Sequence, residues 1–262
     1  MKIGAYQFRV TGDAERNYGR MKIAAEEAHE AGVRLLVFPE CAVTGYPPRD
    51  ISSALEADLE AAERVHARLQ ALADRYDMFL TVGTIIKEGN RHFDAVMVFS
   101  PGGGRTVYRK RALWGWDREN FRPGSDAGVM EAGGLRIGVR ICFEARFPEY
   151  FRELYRARTD LDIILFYDVT DSDDPERREV IRGHVRTRAA ENVCHILTCN
   201  TASPRQSAPT GLYDRSGRTL AELESGKEGL MAFDLEITPM DFGETGRKDI
   251  SDALTGMNTR LH

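Results

Sequence analysis

Short apolar runs alternate with longer segments of helical periodicity from residue 2 to residue 235, and this rhythm narrows the fold to a layered α/β domain. Residues 2–8 alternate as a strand. Over residues 13–31, Tyr18, Met21, Ala25 and Ala28 share one side of a helix that Gly32 stops. Residues 33–38 are almost wholly apolar, the pattern of a strand buried on both faces. Leu55, Leu59, Ala62, Val65, Leu69 and Leu72 predict one long helix over 52–76. Strands follow over 78–86, 93–99, 105–109 and 135–141, with Gly102-Gly103-Gly104 as a hairpin turn. A helix over 148–158 has proline in its first turn, and a second helix runs over 175–192. Further strands are expected over 161–167, 193–199, 210–214 and 229–235. Neither linker nor repeat interrupts the alternation. Residues 1–262 therefore read as a single domain, with a polar, irregular C-terminal tail from about 237.

Composition removes several function classes. A net charge of -5 supplies no basic field for nucleic acid. No apolar run approaches a membrane span, and Met1 to Gln7 reads as a strand and not as a signal peptide. The four cysteines Cys41, Cys142, Cys194 and Cys199 form no CxxC pair, and no Cys/His cluster has metal-ligand spacing. A cytoplasmic protein with free thiols and no metal is expected. Only six of the 36 basic residues are lysines. Base composition accounts for that bias, yet Lys110 between Arg109 and Arg111 hints that an amine is wanted there.

Three residues at strand ends could carry chemistry. Cys142 closes the apolar strand 135–141 and is followed at once by Phe143, Glu144 and a turn before Pro148. A cysteine there can present its sulfur beside backbone N–H groups that face an oxyanion. A small buried hydrophobe is the competing reading. Glu40 follows the buried run ending in Phe38-Pro39, where a partly desolvated carboxylate suits a general base. Lys110 supplies a fixed positive charge. Together they suffice for thiol-based acyl transfer. Cys41 reads as structural, and the histidines lie in contexts where a lone imidazole packs.

Phe38-Pro39-Glu40 with Thr44-Gly45-Tyr46, Tyr108-Arg109-Lys110 with Leu113-Trp114, Glu119, Phe121 and Pro123-Gly124, and the string from Gly138 to Glu149 around Cys142 occur in order. These three segments resemble the nitrilase superfamily of carbon-nitrogen hydrolases. A weaker match is Arg188 to Asn192 before Asn200. The resemblance implies a four-layer αββα sandwich, a Glu40-Lys110-Cys142 triad, no cofactor, and a homodimer or higher homo-oligomer. It also implies a second glutamate that positions the lysine or water. Glu119 is assigned that place, although only Asn120 separates it from Phe121, and Asp117 is the alternative.

The implied activity is hydrolysis of a small linear amide through a thioester, with ammonia or an amine released. Phe143 would give a backbone N–H to the oxyanion. Tyr46, Glu144, Tyr167 and Asp168 complete the expected substrate contacts, Glu144 also organising the nucleophile loop. The acidic stretch from Asp168 to Asp174 fits either a cationic amine on the substrate or the cap of the following helix. An N-carbamoyl-amine hydrolase, a glutamine-hydrolysing subunit and a non-catalytic binding protein on the same fold are the other readings.

Overall fold

The computed structural model describes residues 1–257. Two six-stranded sheets face each other with helices outside both. The first contains β1 (Lys2–Gln7), β2 (Leu35–Val37), β3 (Phe79–Glu88), β4 (Arg91–Ser100), β5 (Gly104–Arg109) and β12 (Gly229–Asp234), in the order β12-β1-β2-β3-β4-β5. The second contains β6 (Val129–Ala132), β7 (Leu135–Ile141), β8 (Leu161–Phe166), β9 (His195–Asn200), β10 (Gly211–Tyr213) and β11 (Thr219–Glu222), in the order β11-β10-β9-β8-β7-β6. The centre of each is parallel (β1-β2-β3 and β7-β8-β9), and the flanking strands run antiparallel.

Strand alternation builds the layers. Leu35 and Val37 of β2 meet Ile137, Val139, Ile163 and Leu165 of the second sheet in the central core. Leu36 and Phe38 face the other way, onto α1 (Ala14–Glu30) and α2 (Leu59–Tyr76). Ile164 and Phe166 of β8 pack on α4 (Pro148–Ala157) and α5 (Pro175–Asn192). The expected αββα sandwich is what the chain forms. No described helix is long and apolar enough to cross a membrane.

Two expectations need correction. The helix predicted over 52–76 begins only at Leu59. Asp58 accepts from the Ala61 N–H and caps α2, while residues 54–56 form a separate 3-10 turn that leaves Leu55 exposed. The tail beyond about 237 is not irregular throughout: α6 (Phe242–Leu254) starts at a reciprocal box between Asp241 and Glu244. Its last five residues, 258–262, lie outside the described residues. The third helix along the chain, the short α3 (Trp116–Asn120), was not expected and positions one member of the site.

Candidate active site

The carboxyl ends of β2, β7 and β8 and the end of β5 converge on one cleft of about 320 Å³, the place where open parallel sheets leave room for a ligand. Glu40 comes from the turn after β2. That turn lies tightly on β3: the Gly83 N–H donates to Pro39 O and the Val43 N–H to Gly83 O. A Cβ at Gly83 would stand 2.3 Å from Pro39 O and 2.6 Å from Glu40 Cα, so only glycine fits.

Lys110 leaves the end of β5 and is buried. Its ammonium lies 2.6 Å from Glu40 Oε1, 2.9 Å from Asp117 Oδ2 and 3.1 Å from Asp94 Oδ2. Burial favours the neutral amine, but Asp117, Glu40 and Asp94 together hold Lys110 well above the usual lysine range. Glu40 is held at its other oxygen by the Tyr167 backbone N–H at 2.6 Å. Asp117 also accepts from the Tyr46 hydroxyl at 2.7 Å, and the Tyr46 and Tyr167 rings stack with centroids 4.8 Å apart.

Cys142 adopts a left-handed backbone conformation, φ 43°, between β7 and a 3-10 turn over 142–146. This strained bend puts the sulfur on the cleft wall. Burial and the Glu40 carboxylate push the thiol well above its usual range, and Lys110 offsets this only in part. The resting group is therefore a thiol that needs a base.

The carbon-nitrogen hydrolase family model matches residues 2–240. The chain belongs to the carbon-nitrogen hydrolase family. It is 30% identical over 145 residues to a nitrilase of Pyrococcus abyssi, covering 54% of this chain and 55% of that protein, so the match spans about half of that relative's length. It is 26% identical over 245 residues to a 2-oxoglutaramate amidase of Bacillus subtilis, covering 90% of each. Its backbone is similar to an amidase of Nesterenkonia sp. AN1, at TM-score 0.83 and 22% identity, covering 99% of this chain and 97% of that one. That structure shows the acetamide moiety of fluoroacetamide added covalently at the amidase's active-site cysteine.

In this member of the carbon-nitrogen hydrolase family, the structure gathers Glu40, Lys110, Cys142, Phe143, Tyr46, Tyr167 and Asp168 at the cleft or its floor. Two assignments change. Glu119 is exposed and lines a separate hollow with Ser53, His92 and Arg122. Residues two apart on a helix face different ways, so α3 turns Asp117 inward and Glu119 outward. Asp117 occupies the position assigned to Glu119. Glu144 is not in the cleft either. The 3-10 turn, unlike a continued strand, buries it fully. There it accepts from the Tyr108 hydroxyl and from the N–H groups of Ile141 and Arg111, tying the lysine segment to the nucleophile strand.

The acidic loop is already neutralised. Arg177 donates to Asp168 at 2.9 Å, Arg49 pairs with Asp171 at 2.5 Å and Arg178 with Asp173 at 3.1 Å. Asp174 caps α5. Of the cations on the cleft wall, Arg146 has no carboxylate within ion-pair distance among the described residues and lies over the Phe143 ring. Sequence reasoning missed Asp94 altogether. Its signal was an acid between Phe93 and Ala95 inside an apolar strand, where a lone charge is costly unless partnered.

Proposed function

We propose that the chain hydrolyses a small linear amide whose far end carries an acidic group, through a thioester on Cys142. The observation that carries this reading is the Glu40–Lys110 pair, 2.6 Å apart and buried, at the floor of the cleft on which Cys142 opens. Glu40 takes the Sγ proton as Sγ bonds to the amide carbon and the carbonyl π pair moves to oxygen. The backbone N–H of Phe143 and the charge of Lys110 stabilise that oxyanion. The C–N bond breaks as Glu40 returns the proton to nitrogen, and ammonia or an amine departs. Glu40 then takes a proton from water, hydroxide adds to the thioester carbon, and the acid leaves as Sγ regains its proton. Asp117 and Tyr46 hold Lys110 in place throughout.

The guanidinium of Arg146, which has no carboxylate partner among the described residues, supports an anionic substrate end, and the pairing of Asp168 and Asp171 with arginines speaks against a cationic amine. The match to a 2-oxoglutaramate amidase over 90% of both chains fits the same direction. Free cysteines fit a cytoplasmic setting, and the exposed Phe242, Ile250 and Leu254 of α6 fit a homodimer.

Intact-mass spectrometry with a panel of ω-amides of dicarboxylic acids, neutral amides, carbamoyl amines and nitriles tests the proposal, with ammonia read in parallel. An acyl adduct with turnover is expected for the acidic amides, and neither is expected in Cys142→Ala or Glu40→Gln. Losses of several powers of ten are usual when residues act as a unit. A Cys142 that iodoacetamide leaves unmodified while Cys41 reacts would favour a non-catalytic binding protein.

A further inference from the structure

A second hollow, of about 490 Å³, lies beside the catalytic cleft. Arg49, Tyr167 and Val169 line both, so the two adjoin along these residues. The loop around Arg205 closes its far side: the Thr170 N–H donates to Arg205 O at 3.0 Å, and Val169 pairs with Gln206. The charge of this hollow is one-sided. Arg9, Arg49 and Arg205 line it, against the single carboxylate of Asp50. Asp50 already accepts from the Tyr46 N–H at 2.9 Å. Arg49 is paired with the Asp171 carboxylate and lies over the Trp116 ring. Arg205 donates to the backbone carbonyl of the same Asp171, which draws these two guanidinium groups to one edge. Neither Arg9 nor Arg205 has a carboxylate within ion-pair distance among the described residues. Ser203 Oγ accepts from the Arg205 N–H at 3.2 Å and keeps its own hydrogen to give. Guanidinium groups that face a concave surface without a full set of counter-charges suit carboxylates and phosphates. In a protein of net charge -5, such a local excess of positive charge concentrates anions there.

We propose that this hollow is an anion subsite of the same active site, taking a carboxylate or phosphate monoester at the end of a substrate tail that runs past Tyr167. Arg146 stands on the wall of the cleft itself and serves an acid close to the amide, whereas Arg9 and Arg205 serve one on a longer chain. Tyr167, stacked on Tyr46, and Val169 supply apolar surface for the methylene groups of such a tail, and Arg49 supplies charge at the crossing. The substrate class therefore extends from short acidic amides to amides whose anion lies many bonds from the carbonyl.

The inference rests on the amide-hydrolase reading for the chemistry at Cys142, yet its test needs no hydrolysis. N-alkyl iodoacetamides are made with tails of increasing length that end in a carboxylate, a phosphate monoester or a neutral alcohol. Sγ of Cys142 displaces iodide, and intact mass gives the rates. The ratio of anion-tailed to alcohol-tailed rates should rise with length to about tenfold or more, the scale of one hydrogen bond to a charged group. In Arg9→Ser with Arg205→Ser that rise should vanish. Both side chains are exposed, so the double variant should keep its fold, which a thermal melt checks. The carboxylate and phosphate series tell which anion the hollow prefers. A ratio that does not rise with length in wild type would overturn the proposal. So would a rise that survives the double variant but disappears in Arg146→Ser, because the acid would then stay inside the cleft. A loss equal at every length would mark only a general positive field and overturn it too. If no reagent alkylates Cys142, the hydrolase reading fails by itself and inorganic phosphate decides the subsite. Its phosphorus NMR line should broaden with wild type and not with the double variant; broadening with both, or with neither, overturns the subsite.

Discussion

At the scale of single residues, reactivity rests on how each charged side chain is accompanied. Cys142 is a protonated thiol because burial and Glu40 outweigh Lys110. In Glu40→Gln the carboxylate no longer opposes Lys110, so alkylation of Cys142 by iodoacetamide, followed by intact mass against pH, should rise at a lower pH than in wild type. Asp117 and Glu119 provide a second contrast. Asp117→Asn removes an anion 2.9 Å from Lys110 and should cost about tenfold or more in kcat/KM, whereas Glu119→Gln should stay within about twofold. A steady-state comparison of the two variants checks this. The clustering of Glu40, Lys110 and Cys142 was legible because each stands at the end of an apolar run, where a polar residue is conspicuous. The residue two places along the loop was not. Which of Asp117 and Glu119 faces inward depends on a five-residue helix with no periodicity to reveal it. The role of Glu144 was hidden for a related reason: the chain turns into a 3-10 helix at Cys142 where a continued strand was expected.

At the scale of elements, two strands hold the site from behind. β3 supports the Glu40 turn through Gly83. Gly83→Ala should displace Glu40 and lower kcat/KM by about tenfold or more, with an overpacking cost of roughly 1–3 kcal/mol. Thermal melts and adduct formation measured on the same sample separate the two effects. In β8, Asp162 is fully buried, and neither carboxyl oxygen has a well-directed donor among the described residues. Burial raises it to about 6. Between roughly pH 4 and 6 the folded protein keeps a proton that the unfolded chain has released. The associated stability is complete below that window and lost as pH rises through 6. Asp162→Asn should flatten this dependence and stabilise the protein at pH 8 by up to about 3 kcal/mol, read from denaturant unfolding at several pH values. Strands such as β2 and β8 were legible because burial on both faces leaves continuous apolar runs. The start of α2 was misplaced because Leu55 continues the helical spacing although Asp58 caps the helix after it. α6 escaped notice because its apolar residues, Phe242, Ile250 and Leu254, face outward and not into the core.

For the whole molecule, those three side chains bear on assembly. A second copy of the chain should cover them. Phe242→Ser with Leu254→Ser should shift a dimer toward monomer in sedimentation velocity while Cys142 chemistry persists. The layered fold was legible from the alternation alone, but the pairing of the strands was not, because short strands carry no label for their neighbours. β12 shows this most clearly. It follows every strand of the second sheet, yet it pairs with β1, from Lys2 opposite Asp234 to Gln7 opposite Gly229. During synthesis, then, β1 leaves the ribosome with one edge bare and stays so until some 220 further residues have been added. Glu40 and Lys110 are translated early, but the sheet that carries them closes only near the end of the chain. A ribosome stalled at residue 228 would hold a nascent chain with every proposed catalytic residue already made and the sheet behind two of them still open.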